Sequence, residues 1–146
     1  MGKFLTFAVL IFFLAAVVAG GLWLKRLKDG EKSGPRIEDL RVCEFVSYNA
    51  PCEKDTKNVS QDNGDIYATV ISKDITNSLL KTRWEYIQDG TKSIIGESEA
   101  TIYDNQTLQL KLEKDLKRGW LLGKYAVTLV LEGSNTLTKE FTIVAD

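Results

Sequence analysis

The stretch Gly119–Leu131, GWLLGKYAVTLVL, decides how this chain is read. From Tyr125 onward its residues alternate: Tyr125, Val127, Leu129 and Leu131 share one face, while Ala126, Thr128 and Val130 take the other. A period of two marks a strand with one buried face, because successive side chains on an extended backbone point to opposite sides. A helix would need apolar residues at i, i+3, i+4 and i+7, and only a weak trace of that spacing appears around Leu112 to Leu122. The glycine-punctuated segment EKDLKRGWLLG reads instead as a turn that delivers the chain into the strand.

The same period recurs on both sides. Thr82, Trp84 and Tyr86 share a face, and Asp89-Gly90 closes that strand with a hairpin-type turn. Ile66–Ile71 is a β-branched run behind the turn signal Asp62-Asn63-Gly64-Asp65. Leu108, Leu110 and Leu112 alternate with Gln109, Lys111 and Glu113. A first strand is expected from about Leu40 to Val46, carrying Cys43. Two short polar strands, Ser93–Gly96 and Glu97–Tyr103, have the composition of sheet edges. A turn over Glu132–Asn135 leads to a last strand in which Phe141 and Ile143 share a face. Seven to eight short strands over about 110 residues form the pattern of an antiparallel two-sheet sandwich. Trp84, Trp120, Tyr125, Val127 and Phe141 lie inside this pattern. They are expected to pack the core rather than form an aromatic ligand platform.

Upstream lies an uninterrupted apolar run, Phe4–Leu24, with Thr6 its only polar member and no charge. About 20 helical residues at roughly 1.5 Å rise each cross a hydrocarbon core. A retained membrane anchor accounts for the length of the run. Trp23 would sit at headgroup level, with Lys25 and Arg26, followed by Lys28, holding the interface. A cleaved signal peptide is the competing reading: Lys3 precedes the run and Val17-Val18-Ala19 before Gly20 is a passable cleavage site. A buried soluble helix fits poorly, since the run has no polar face. Pilins also begin with an apolar helix, but no glutamate lies between Phe4 and Leu24.

The basic residues after the run favour a cytoplasmic domain by the positive-inside rule. Against this stand Cys43 and Cys52, the only cysteines, an even count at short spacing that suits an oxidising compartment. Two free thiols are the alternative. The expected location is the cell membrane, crossed once, with the C-terminal domain extracytoplasmic. Residues 1–26 are read as the anchor, 27–36 as a glycine- and proline-punctuated linker, and 37–146 as one domain.

Charge and chemistry exclude more than they assign. Residues 1–35 hold five of the 19 basic and two of the 20 acidic side chains, leaving 14 and 18 to residues 36–146. A domain at about −4 lacks the basic face of a nucleic-acid binder. There is no histidine, which removes Ser-His-Asp, Cys-His and ordinary zinc sites. Neither phosphate-loop nor dinucleotide fingerprint occurs. Asp55, Asp62, Asp65 and Asp74 are the acidic loop residues, and Asp62–Asp65 lacks the full spacing of a calcium loop. Asn58-Val59-Ser60 and Asn105-Gln106-Thr107 fit the glycosylation pattern, but two such matches are unremarkable and both are read as plain turn residues unless the source is eukaryotic. No catalytic residue, metal ligand, cofactor or small-molecule substrate is expected.

Thr82-Arg83-Trp84, then Gly119-Trp120-Leu121-Leu122-Gly123-Lys124-Tyr125-Ala126-Val127, then Phe141-Thr142-Ile143-Val144, together resemble a group of bacterial immunoglobulin-like domains. These occur in exported or membrane-anchored proteins. In them a GW-x-x-G-x-Y-x-V stretch enters the penultimate strand and an F-x-V pair ends the domain; Ile143 stands here in place of the valine. Val42-Cys43 and Pro51 are similar to the way such domains begin. The resemblance covers about residues 36–146 and implies a fold, not an activity. A Cys43–Cys52 bridge would clip only the Glu44–Pro51 turn, unlike the inter-sheet bridge of antibody domains. The expected protein is therefore an all-β, immunoglobulin-like antiparallel sandwich behind one transmembrane helix. It would touch lipid through residues 4–24, act without enzymatic chemistry, and bind a protein partner or itself. A surface-filament or secretion subunit with packed apolar helices is the alternative.

Overall fold

A computed structural model describes residues 34–103, 106–134 and 136–146. The expected membrane helix, with Trp23, Lys25 and Arg26, lies outside the described residues, as does most of the expected linker. Among the described residues no helix is long and apolar enough to cross a membrane.

Alternating sequence becomes eight strands: β1 Arg36–Cys43, β2 Asn58–Ser60, β3 Ile66–Lys73, β4 Ser78–Gln88, β5 Thr91–Ile102, β6 Thr107–Leu112, β7 Gly123–Leu131 and β8 Thr136–Val144. They form two sheets, β1-β3-β6 and β2-β8-β7-β4-β5. The fold is all-β. Neighbours pair antiparallel except β2, which runs parallel to β8 from Asn58↔Thr142 to Ser60↔Val144. That parallel pair corrects the expectation of a purely antiparallel fold. Asn58, expected in a turn, is in a strand.

One core joins the sheets. Leu40, Val42, Ala68, Val70 and Leu110 from the first meet Leu80, Trp84, Val127, Leu129 and Phe141 from the second. The face of β7 read from the sequence is the buried one: Tyr125, Val127, Leu129 and Leu131 are each at most 3% exposed. A slip of one residue would turn that row to solvent, so burial sets the register.

The first strand differs from expectation at both ends. It begins at Arg36 and stops at Cys43 rather than running from Leu40 to Val46. Its pairing with β3 skips Glu38, between Ile37↔Ser72 and Asp39↔Ile71. This bulge puts one extra residue on one strand, and it is why Ile37 and Leu40 are both buried although three apart. The two short polar strands expected between Ser93 and Tyr103 are instead the continuous β5, interrupted by one bulge. The β4–β5 turn places Asp89 at φ 49° and Gly90 at φ 78°. Both are left-handed, as the tight turn matching strand twist requires.

Where β6 ends, the sequence EKDLKRGWLLG does form a turn. The Asp115 carboxylate accepts from the Lys117 and Arg118 amides at 2.8 and 3.3 Å, and the Gly119 amide donates to the Asp115 carbonyl at 2.7 Å. A short side chain that satisfies local backbone donors competes well with helix.

Candidate functional site

The site is best built from β4 outward. Along β4, Leu80, Thr82 and Trp84 face the core and Lys81 and Arg83 face solvent. On β5 the register sets Glu99 opposite Lys81 and Glu97 opposite Arg83. Arg83 Nε donates to Glu97 at 2.8 Å, and Lys81 Nζ lies 3.4 Å from Glu99. All four side chains are more than half exposed. Such pairs set orientation more than they stabilise, at about 0.2–1 kcal/mol each.

Past Trp84↔Gly96 the register jumps to Glu85↔Ile94, which leaves Ile95 as the extra residue. Gly96 sits under Trp84 and Leu112: an added Cβ would lie 3.6 and 3.5 Å from their Cδ1 atoms. Strand β5 ends the five-stranded sheet, so its far edge pairs with no strand among the described residues. Beside Ile95 the β6–β7 connection leaves a notch of about 280 Å³, lined by Tyr86, Ile95, Leu112, Trp120, Leu121 and Tyr125 among others. Ile95 and Leu121 are 43% and 55% exposed there.

Beneath the notch is a chain of rings. Trp84 meets Phe141 edge-on at 6.3 Å, Phe141 stacks on Tyr125 at 5.5 Å, and Tyr125 meets Trp120 edge-on at 6.2 Å. Tyr86 completes it, 5.0 Å from Tyr125. Trp84, Trp120, Tyr125, Val127 and Phe141 are all at most 5% exposed. The polar tips of these rings are satisfied by backbone, as burial demands. Trp120 Nε1 donates to the Gly64 carbonyl at 2.8 Å, and Tyr125 Oη donates to the Leu121 carbonyl at 2.9 Å. Burial pushes the Tyr125 hydroxyl up to about 12. Gly123, at φ 137°, allows Tyr86 to pack closely; a Cβ there would lie 3.2 Å from the Tyr86 ring and hydroxyl.

Cys43 and Cys52 form a disulfide, both buried. The Cys52 amide donates to Thr69 Oγ1 at 2.9 Å, Arg41 donates to the Cys52 carbonyl at 3.2 Å, and Gln109 donates to the Ala50 carbonyl at 2.9 Å. The bridged loop thus covers the outer face of β3, which is why Thr69 is buried although it faces away from the core.

The acidic loop residues are dispersed. Asp55 accepts from the Val42 amide and pairs with Lys139. Asp65 accepts from the Lys114 amide and lies 3.6 Å from Lys111. Asp74 pairs with Arg36 at 2.9 Å, at the end of β3 opposite Asp65. Lys111, held between Glu113 and Asp65, has its pKa raised, chiefly by its hydrogen bond to Glu113. Among the described residues, no three His, Cys, Asp or Glu side chains stand close enough to hold a metal. Sequence reasoning missed the notch and the bulge; glycine at 96 inside a strand pattern was the available signal.

No family model and no curated protein matches this chain. Among solved structures, the alkylpurine DNA glycosylase AlkC of Pseudomonas fluorescens superimposes with a TM-score of 0.50 at 13% identity, over 78% of this chain and 31% of that one. The chain thus spans less than a third of that enzyme, and the likeness is one of fold alone. A β-glucosidase of Erythrobacter marinus (TM-score 0.43, 10% identity, 76% and 15% covered) and Spo0M, a sporulation control protein of Bacillus subtilis (0.34, 15%, 78% and 50%), are looser. These two carry no argument about this chain.

Proposed function

We propose that this chain is a non-enzymatic, single-pass membrane protein that presents an immunoglobulin-like interaction domain outside the cytoplasmic membrane. The observation that carries the interaction role is β5: twelve residues long, paired on one side only among the described residues, and largely exposed. Such an edge recruits other chains by strand addition.

The immunoglobulin-like assignment draws support from three features. The sheets β1-β3-β6 and β2-β8-β7-β4-β5 suit the A-B-E and A′-G-F-C-C′ strand positions of that fold. A buried tryptophan, Trp84, stands on the C-position strand. Tyr125, early in the F-position strand, bonds back to Leu121 as a tyrosine corner does. The Cys43–Cys52 bridge supports an oxidising compartment. The apolar run 4–24 supports an anchor that touches lipid.

Protease added to intact cells or spheroplasts is the test. Residues beyond about 36 should be removed, leaving a membrane-bound stub. Full protection would reverse the orientation, and recovery in the carbonate-soluble fraction would remove the anchor.

A further inference from the structure

We propose that the open edge of β5 accepts an extended partner segment with alternating basic and apolar side chains, one large apolar residue of which seats in the notch beside Ile95. This rests on the reading of the domain as an interaction module and names the chemistry of its partner.

Regularity sets the length. From Glu97 to Ile102, β5 pairs with β4 residue for residue, and the extra Ile95 interrupts the ladder below. A bulge twists an edge and halts strand addition. Six regular residues remain, close to the usual length of a strand, roughly 5–6 residues.

Charge sets the outward side chains. Glu97, Glu99 and Thr101 point to the outer face of the sheet. The second carboxylate oxygens of Glu97 and Glu99 have no hydrogen bond or ion pair among the described residues. A strand added at the usual spacing of about 4.8 Å meets these glutamates first. Arg83 and Lys81 are rooted one strand further back, and their charged groups reach Glu97 and Glu99 at 2.8 and 3.4 Å. Each cation engages one carboxylate oxygen and leaves the other able to accept from a charged donor on an added strand, on a domain whose formal charge is about −4. Basic side chains opposite Glu97 and Glu99 are therefore favoured.

Self-pairing is poorly served by the same geometry. A two-fold antiparallel pair centred on Ser98 sets Glu97 against Glu99, and one centred on Glu99 sets that residue against itself. Like charges directly opposite are destabilising. A pair centred on Ala100 sets Glu99 against Thr101, with no opposite charge to attract it.

Apolar surface sets the inward side chains. On its inner side β5 carries the small residues Gly96, Ser98 and Ala100, followed by the buried Ile102 at its end. Beyond them the three-stranded sheet ends at β6, where Leu108 is half-buried and Leu110 and Leu112 lie just beneath the surface. Inward side chains of an added strand would lie against this margin. The notch, at about 280 Å³, exceeds the roughly 150 Å³ cavity that accommodates benzene. It takes one large aliphatic or aromatic side chain, with Ile95 and Leu121 as walls.

The test uses the full-length chain in neutral detergent and fluorescein-labelled peptides: Lys-Val-Lys-Val-Lys-Val extended by Phe, its Glu-Val analogue, and a scrambled peptide of the first composition. Anisotropy should rise with the Lys-Val peptide and respond at least about tenfold more weakly to the other two. Glu97→Gln with Glu99→Gln should weaken binding about 2- to 30-fold, two cross-strand charge pairs' worth. Leu121→Ser should weaken the Phe-ended peptide and not the same peptide ended in Ser. Hydrogen exchange should slow in residues 97–102. Equal binding of the Lys-Val and Glu-Val peptides, or protection elsewhere, would overturn the proposal. So would protection of β5 by concentration alone, which would make a second copy the occupant. Membrane insertion without peptide binding would overturn this inference and leave the anchored reading standing. Binding by a chain absent from membranes would do the reverse.

Discussion

Replacing Trp84 by alanine tests the arrangement of two sheets around one core. The ring is 3% exposed, meets Phe141 edge-on at 6.3 Å, and lies under Gly96. A buried tryptophan removes roughly 150–250 Å² from water, which at about 25 cal/mol per Å² is worth about 4–6 kcal/mol. The unfolded chain already hides part of that area, so this is an upper bound. Large-to-small substitutions at such sites measure about 3–5 kcal/mol once the residual cavity is included. The edge contact with Phe141 adds roughly 0.5–1.5 kcal/mol, which places the cost in the upper half of that range. Urea denaturation of the wild-type and W84A chains, followed by far-ultraviolet circular dichroism, reads the difference. With an m-value of about 1–3 kcal/mol/M, the midpoint should fall by roughly 1.3 to 5 M. Phe141→Ala in the same background should be less than additive, because the two rings share a contact. A loss under about 1 kcal/mol would put Trp84 on a surface and refute the shared core.

Gly123→Ala should destabilise by about 1–3 kcal/mol or more, since alanine is strained at φ 137° and its Cβ would press on Tyr86; thermal denaturation checks it, and Gly90→Ala, with open space around it, should cost less. Stability should decline as pH rises from about 10, the unfolded tyrosine value, through about 12, the Tyr125 value in the fold. The neutral hydroxyl is the form burial favours, so its contribution of roughly 2–3 kcal/mol is full below pH 10 and lost above 12; Tyr125→Phe should flatten that part of the profile. Replacing both Cys43 and Cys52 by serine should cost about 2–3 kcal/mol by loop entropy, and a thiol-reactive label should modify neither cysteine in the denatured, unreduced wild-type chain.

Strand identity was legible wherever one face is buried and the other wet. Tyr125 to Leu131 and Leu108 to Leu112 alternate in the sequence as they do in the sheets, because burial on one face selects apolar residues every second position. The aromatic core residues were legible for the same reason. Strand β2 was not: three residues are too few to show a period, and its parallel partner β8 lies more than 80 residues away. The bulges at Glu38 and Ile95 were hidden too, since an extra residue breaks the alternation that makes a strand readable. This is why β1 was expected four residues late and β5 was divided into two.

By itself, the sequence determined an apolar run, a β-rich domain, the absence of histidine chemistry and the two cysteines, all properties of local composition and period. Tertiary structure alone decided which strand lies at the edge and that Ile95 and Leu121 meet at one notch. Those facts depend on pairing between segments distant along the chain. Local preference fixes the direction of each side chain within its strand, while the neighbour it meets is chosen by the burial of the whole core.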